Sequence, residues 1–178
     1  MSDTLTLRPA RRAELERLTE LARRPEVAAS LSTDTADRLG EALDASPDDG
    51  ELLVIEDDGA LIGAVRWVLV NRRSRIADVR ALMLGPEARG RGLASAALRT
   101  LIERLLDTRG LHRLEAEVYG FNYAALRAFE RAGFTREGVR RRAYDRHGDW
   151  QDGIRFGLVA DDIDRQPGAP GHDVTRQP

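Results

Sequence analysis

The segment Leu82-Met83-Leu84-Gly85-Pro86-Glu87-Ala88-Arg89-Gly90-Arg91-Gly92-Leu93-Ala94-Ser95 has the residue types to hold a diphosphate. An apolar run enters a glycine-rich loop, and the loop opens directly into a helical pattern. The first turn of a helix leaves N–H groups without partners, and aligned peptide dipoles place partial positive charge there. Glycines at 90 and 92 let the backbone approach an anion closely, and Arg89 and Arg91 can add charge-assisted hydrogen bonds. A P-loop would need a lysine after its last glycine, and this chain contains no lysine. A Rossmann fingerprint would need a third glycine and a position near the start of a βαβ unit.

The elements that position this loop are legible around it. Leu5-Thr6-Leu7-Arg8 alternates and stops at Pro9, a first strand. Leu15, Leu18 and Leu21 recur at helical spacing up to Pro25, and Thr33 or Asp34 can cap a second helix carrying Leu39 and Leu43. Residues 52–55 and 61–65 flank Asp57-Asp58-Gly59 as a hairpin, with residues 67–70 continuing its second strand. A strand over residues 76–84 leads into the loop. A long amphipathic helix from Ala94 to Leu106 then stops at Gly110. Leu114, Ala116 and Val118 alternate with Glu115 and Glu117 in a further strand. Asn122 can cap a helix that buries Ala125, Leu126 and Phe129 and ends at Gly133. Two short strands follow, residues 134–139 and 152–159, around a His147-Gly148 turn. From Asp161 the chain has Pro167, Gly168, Pro170 and Gly171 and few apolar residues, so 161–178 is expected to be a disordered tail behind one domain of residues 1–160.

Length and composition narrow the function. A chain of 178 residues can bury a sizeable core. Without cysteine there is no disulfide, thiolate metal site or cysteine nucleophile, and no residues have metal-ligand spacing, so no metal is expected. The net charge of −2 argues against a nucleic-acid partner. No cationic-then-apolar leader and no apolar stretch of about 20 residues is visible, so a cytoplasmic protein with no membrane partner is expected. Between Asp34 and Asp58 lie Asp34, Asp37, Glu41, Asp44, Asp48, Asp49, Glu51, Glu56, Asp57 and Asp58, opposed within the run only by Arg38. Such a run is either a solvated face or a field that attracts a cationic substrate.

Arg89-x-x-Gly92-x-Ala94 resembles the pyrophosphate-binding pattern Gln/Arg-x-x-Gly-x-Gly/Ala of the GNAT acetyltransferases. Residues 122–134, Asn122-Tyr123-Ala124-Ala125-Leu126-Arg127-Ala128-Phe129-Glu130-Arg131-Ala132-Gly133-Phe134, resemble that family's Asn-x-x-Ala/Ser-x-x-x-Tyr-Glu-Lys-x-Gly-Phe. Gly148-Asp149-Trp150-Gln151-Asp152 is similar to the end of the branch holding the RimJ/RimL and spermidine N-acetyltransferases. The resemblance covers roughly residues 4–159. It implies an α/β (α+β) fold with a mostly antiparallel twisted sheet of about six to seven strands and about four helices, a splayed strand pair forming the acyl-CoA cleft. It also implies acetyl-CoA as co-substrate, an amine or protein N-terminus as acceptor, and a homodimer as the family-level assembly.

Carried over by position, Leu82, Met83 and Leu84 would pair with the pantetheine arm by strand addition, and a backbone N–H among them would polarise the thioester carbonyl. Gly90, Gly92, Leu93, Ala94 and Ser95 would surround the diphosphate with Arg89 and Arg91, and Asn122 and Phe129 would face the cofactor. The family's general acid is a tyrosine where this chain has Phe129, and the serine some members use is Ala125 here. Tyr123 and Tyr144 are therefore the candidate proton donors. An alkylammonium, pKa about 10.4, must lose a proton before it can attack, and Glu117 is the candidate acceptor, with Asp78, Glu115, His112 and His147 as others. With both usual donors absent, a non-catalytic acyl-CoA-binding module of the same fold is the alternative reading.

Overall fold

The computed structural model describes residues 5–163. Seven strands form one sheet in the order β1-β2-β3-β4-β5-β7-β6: β1 (Leu5–Pro9), β2 (Gly50–Asp57), β3 (Ala60–Asn71), β4 (Ile76–Leu84), β5 (Arg113–Tyr119), β6 (Thr135–Arg146) and β7 (Asp149–Val159). Every neighbouring pair is antiparallel except β4–β5. That one parallel pair follows from the helix inserted between the two strands, since parallel strands need a crossover connection. The mixed, mostly antiparallel α/β fold expected from the sequence is the one observed.

Alternation along the strands separates two cores. On one face, Val65, Trp67, Val79, Leu114, Ala116, Phe156 and Leu158 pack beneath α4 (Leu93–Ile102) and α5 (Tyr123–Ala132). On the other, Leu52, Val54, Ala64 and Met83 are covered by α1 (Leu15–Arg23), α2 (Pro25–Ala28) and α3 (Leu39–Asp44). These helices cover only the β2–β3 half of that second face. From the first half of β4 through β5 it carries Asp78, Glu115 and Glu117 instead of apolar side chains. No described helix is long and apolar enough to cross a membrane.

Several boundaries differ from the sequence expectation, each for a local reason. Helix α1 ends at Arg23, before Pro25, as expected, but Pro25 then opens a further helical turn, α2, because its fixed φ suits a first helical position. Asp34 does not cap α3, which begins after Arg38. Its carboxylate accepts from Ser32 Oγ at 2.8 Å and pairs with Arg38 at 3.3 Å, so it is not used on helix N–H groups. The long helix loses α geometry after Ile102 and continues as a π-helical turn, Glu103–Thr108. The last two strands run on to the turn at His147 and Gly148, through an arginine-rich stretch with no apolar alternation to announce it. Ala160–Ile163 is a helical turn (α6) with Ile163 against the core, so the expected tail begins as ordered structure. The remainder of that segment lies outside the described residues.

Candidate active site

β4 and β5 pair only from Ile76–Arg113 to Val79–Ala116; beyond that β4 stays on β3 while β5 stays on β7. A β-bulge sits at the point of separation. Ala64 faces Met83 and Arg66 faces Arg80, so Ala81 and Leu82 together oppose Val65. Ala81 has φ 49°, a left-handed conformation that costs a non-glycine residue about 1–2 kcal/mol. Bulges bend a strand and increase its twist. Here that bend leaves the β5-facing edge of β4 at Leu82, Met83 and Leu84 without a strand partner, the splay expected from the sequence. Leu82 lines the gap, while the Met83 and Leu84 side chains are buried in the two cores. Any contact from those two with a bound chain would be through the backbone.

The loop leaving β4 ends in Gly90 and Gly92, both at φ 77°, and Gly92 is the N-cap of α4. Ala96 donates to the Gly92 carbonyl at 3.2 Å, so the amides of the preceding first turn lie ahead of the helical ladder. A Cβ placed at either glycine meets no atom within 4 Å. The glycines therefore meet a conformational need and leave open space over the amides, which fits a diphosphate. Leu93 and Ser95 point inward, 6% and 5% exposed, so any contribution from them would also come from the main chain. The two arginines already have partners. Arg89 donates to the Glu26 carbonyl at 2.9 Å, and Arg91 pairs with the buried Asp57 at 2.9 Å. They tie the loop to α2 and to the β2–β3 hairpin, and about half of Arg91 remains exposed.

Between the splayed strands lies a cavity of about 440 Å³. It is bounded by residues 78–82 of β4, the end of β5, the first turns of α5, part of β6, Arg66 of β3, and the 30–42 segment. Asn122 caps α5 by accepting from Ala125 N at 3.2 Å, and its side chain also borders the cavity. Phe129 and Ala125 border it too and offer no proton. The Phe129 ring is 5.5 Å from Phe156 and 5.0 Å from Phe134, part of an aromatic cluster in the core. Of the two candidate tyrosines, only Tyr144 borders the cavity; Tyr123 is 67% exposed and does not line it.

Tyr144 and Glu117 converge. Arg140 Nη1 lies 3.1 Å from Glu117 Oε2 and 3.3 Å from the Tyr144 hydroxyl, and Tyr119 meets the Tyr144 ring edge-on at 5.1 Å. A second bulge in β6, where Arg142 N donates to Asp152 at 2.7 Å, sets this register. Gly153 faces the pair from β7, and a side chain there would run into both the Glu117 carboxylate and the Tyr144 ring. Burial, and then the Glu117 carboxylate, push the Tyr144 phenol up to about 12. Burial likewise raises the Asp78 carboxyl, with Glu115 and Glu117 adding repulsion and Arg80 at 2.7 Å opposing it. Glu115 is tied to Arg113 at 2.9 Å and, like His112 and His147, does not border the cavity. Among the described residues there is no cluster of three or more metal-ligating side chains.

The acidic run is largely neutralised by distant arginines. Asp37 pairs with Arg23, Asp44 with Arg12, Asp49 with Arg72, Glu56 with Arg8 and Asp57 with Arg91, while Glu51 is buried between Arg104 and Arg109. Only Asp34 of the ten borders the cavity. Sequence reading also missed the cavity arginines 38, 66, 80 and 140, because alternation shows which face a residue takes but not what faces it.

Residues 4–135 match the family described as Acetyltransferase (GNAT) domain. The probable N-acetyltransferase YjcK of Bacillus subtilis is 30% identical over 95 residues, 53% of this chain and 52% of that one. A mycothiol acetyltransferase of Salinispora tropica is 37% identical over 90 residues, 49% of this chain and 29% of that one. The chain thus spans about half the length of the first and under a third of the second. The Escherichia coli spermidine N(1)-acetyltransferase is 25% identical over 123 residues, 69% of this chain and 66% of that one. In fold, the spermidine N-acetyltransferase of Vibrio cholerae solved with CoA and spermine superposes with a TM-score of 0.78 at 24% identity, covering 89% of this chain and 96% of that one. Splayed sheet, glycine cradle and family match agree: this chain belongs to the GNAT acetyltransferase domain family.

Proposed function

We infer that the protein is an acetyl-CoA-dependent N-acetyltransferase acting on a primary amine. The observation that carries this reading is the unpartnered edge of β4 beyond Val79, with open glycine amides at one end and the Glu117–Tyr144 pair across the cavity from the other. The β4 edge and the amides of residues 90–95 would hold the pantetheine arm and diphosphate, aiming the thioester at the cavity. A β4 backbone N–H near the bulge would stabilise charge on the carbonyl oxygen as it develops. The acceptor is a small amine, cationic before it reacts, or a protein N-terminus.

The amine enters as an ammonium and gives one proton to Glu117, and the amine nitrogen so freed then directs its lone pair at the thioester carbonyl carbon. The C–N bond forms, the C–S bond breaks, and the nitrogen sheds its second proton as the thiolate takes one up. Net, one proton leaves with N-acetylated amine and CoA thiol. Tyr144, protonated throughout the neutral range, donates to the departing sulfur and recovers a proton through Glu117. A thiolate, pKa about 8.5, needs only modest help to leave. Tyr123 is too exposed to serve, and Phe129 and Ala125 have nothing to give.

Phe129 and Ala125 also support the second reading, an acyl-CoA-binding module without turnover. Free-thiol release from acetyl-CoA with a panel of primary amines separates the two. Amine-dependent release supports the transferase. Tight binding of acetyl-CoA by calorimetry, with no release from any amine, leaves only the module.

A further inference from the structure

The charged side chains around the cavity are not evenly matched. Its three carboxylates each hold an arginine: Asp34 with Arg38 at 3.3 Å, Asp78 with Arg80 at 2.7 Å, and Glu117 with Arg140 at 3.1 Å. The fourth arginine, Arg66, forms no hydrogen bond or ion pair among the described residues, although it is only partly exposed and lines the same space. Its register partner on β4 is another arginine, Arg80. Glu41, the carboxylate whose charge favours the Arg66 guanidinium, bonds Arg38 at 3.3 Å. Burial, and then repulsion from Arg80 and Arg38, lower the Arg66 pKa below the usual guanidinium value. The group nevertheless stays charged in a protein. A guanidinium partly withdrawn from water, beside like charges and without an anion, is an unfavourable arrangement that an incoming anion relieves.

We propose that Arg66 is the acceptor-specificity residue: it binds an anionic group, a carboxylate or its phosphonate equivalent, borne by the same molecule that carries the reacting amine. This rests on the transferase reading above. The acceptor is then zwitterionic. Its ammonium approaches Glu117 and its anion is held by the planar fork of Arg66, which suits two-point binding of a carboxylate. A polyamine would instead bring further positive charge to a cavity whose carboxylates are already paired.

The test compares α-amino acids with the amines left by removing their carboxyl group, and with spermidine, at saturating acetyl-CoA and with thiol release as the readout. The acid-bearing partner of each pair should have a kcat/KM higher by about tenfold or more, the scale of a charge-assisted hydrogen bond, with the gain mainly in KM. Arg66→Gln should bring the acid down to the level of its decarboxylated counterpart while the Kd for acetyl-CoA by calorimetry holds. Arg66→Lys should retain part of the preference. If Arg66→Gln does not fold, the wild-type preference still decides. Thiol release that is as fast or faster with decarboxylated amines or spermidine overturns this assignment and leaves the transferase reading standing. No release with any amine overturns both.

Discussion

At the scale of single residues, the Glu117–Tyr144 pair is held by groups that do nothing chemical themselves. Arg140 bonds both, and Gly153 leaves the room that lets them meet. Glu117→Gln, which keeps shape but cannot accept a proton, should lower kcat by about a hundredfold or more, the usual range for general-base loss. Tyr144→Phe should lower it less, by about tenfold, because a thiolate already leaves tolerably. Both variants should bind acetyl-CoA like the parent by calorimetry, since neither touches the β4 edge or the glycine loop. Unchanged kcat in both would remove the pair from the mechanism. Alternation had already put Glu117 on the face opposite Leu114, Ala116 and Val118, but not beside Tyr144. That meeting depends on the β6 bulge, and residues 140–146 carry no pattern that would reveal it.

At the scale of elements, the loop from β4 into α4 is the proposed cofactor cradle. Gly92 combines a φ of 77° with the N-cap position and open space above it. Gly92→Val should therefore strain the cap by about 1–2 kcal/mol and cover the free amides, raising the Kd for acetyl-CoA at least tenfold in a calorimetric titration. A variant that binds as tightly as the parent would refute the cradle. This element was legible in the sequence because its determinants are local: glycines where φ is positive, then apolar residues at helical spacing. The bulge that opens the neighbouring strand was not. It turns on Ala81, a residue type with no preference for positive φ, imposed by pairing with β3 on one side and loss of β5 on the other.

At the scale of the whole molecule, charges far apart in sequence join the layers. Glu51 accepts from Trp67 Nε1 at 3.2 Å and from Arg104 and Arg109 at 3.1 and 3.0 Å, and the Arg109 guanidinium lies 5.1 Å from the Trp67 ring centroid. Glu51→Ala leaves two arginines without their anion and should cost about 3 kcal/mol in denaturant unfolding, as breaking a buried pair does. On the adjoining edge strand β1, Arg8 holds the Glu14 carboxyl down at about 2, from 4.5 unfolded. A depressed folded pKa means stability present above pH 4.5 and lost as pH falls toward 2. In Glu14→Gln that part of the stability–pH slope should be absent, read from urea midpoints across the window. The sequence alone determined the family, the order of the elements and the position of the glycine cradle, because these rest on spacing along the chain. Which charges remain free was decided only by the tertiary structure. A run of ten acids reads as a strong negative field until arginines from other segments are brought against it, and Arg66 stands out only when its neighbours' pairings are known. Burial and partner choice belong to the folded arrangement, and they set what each charge can bind.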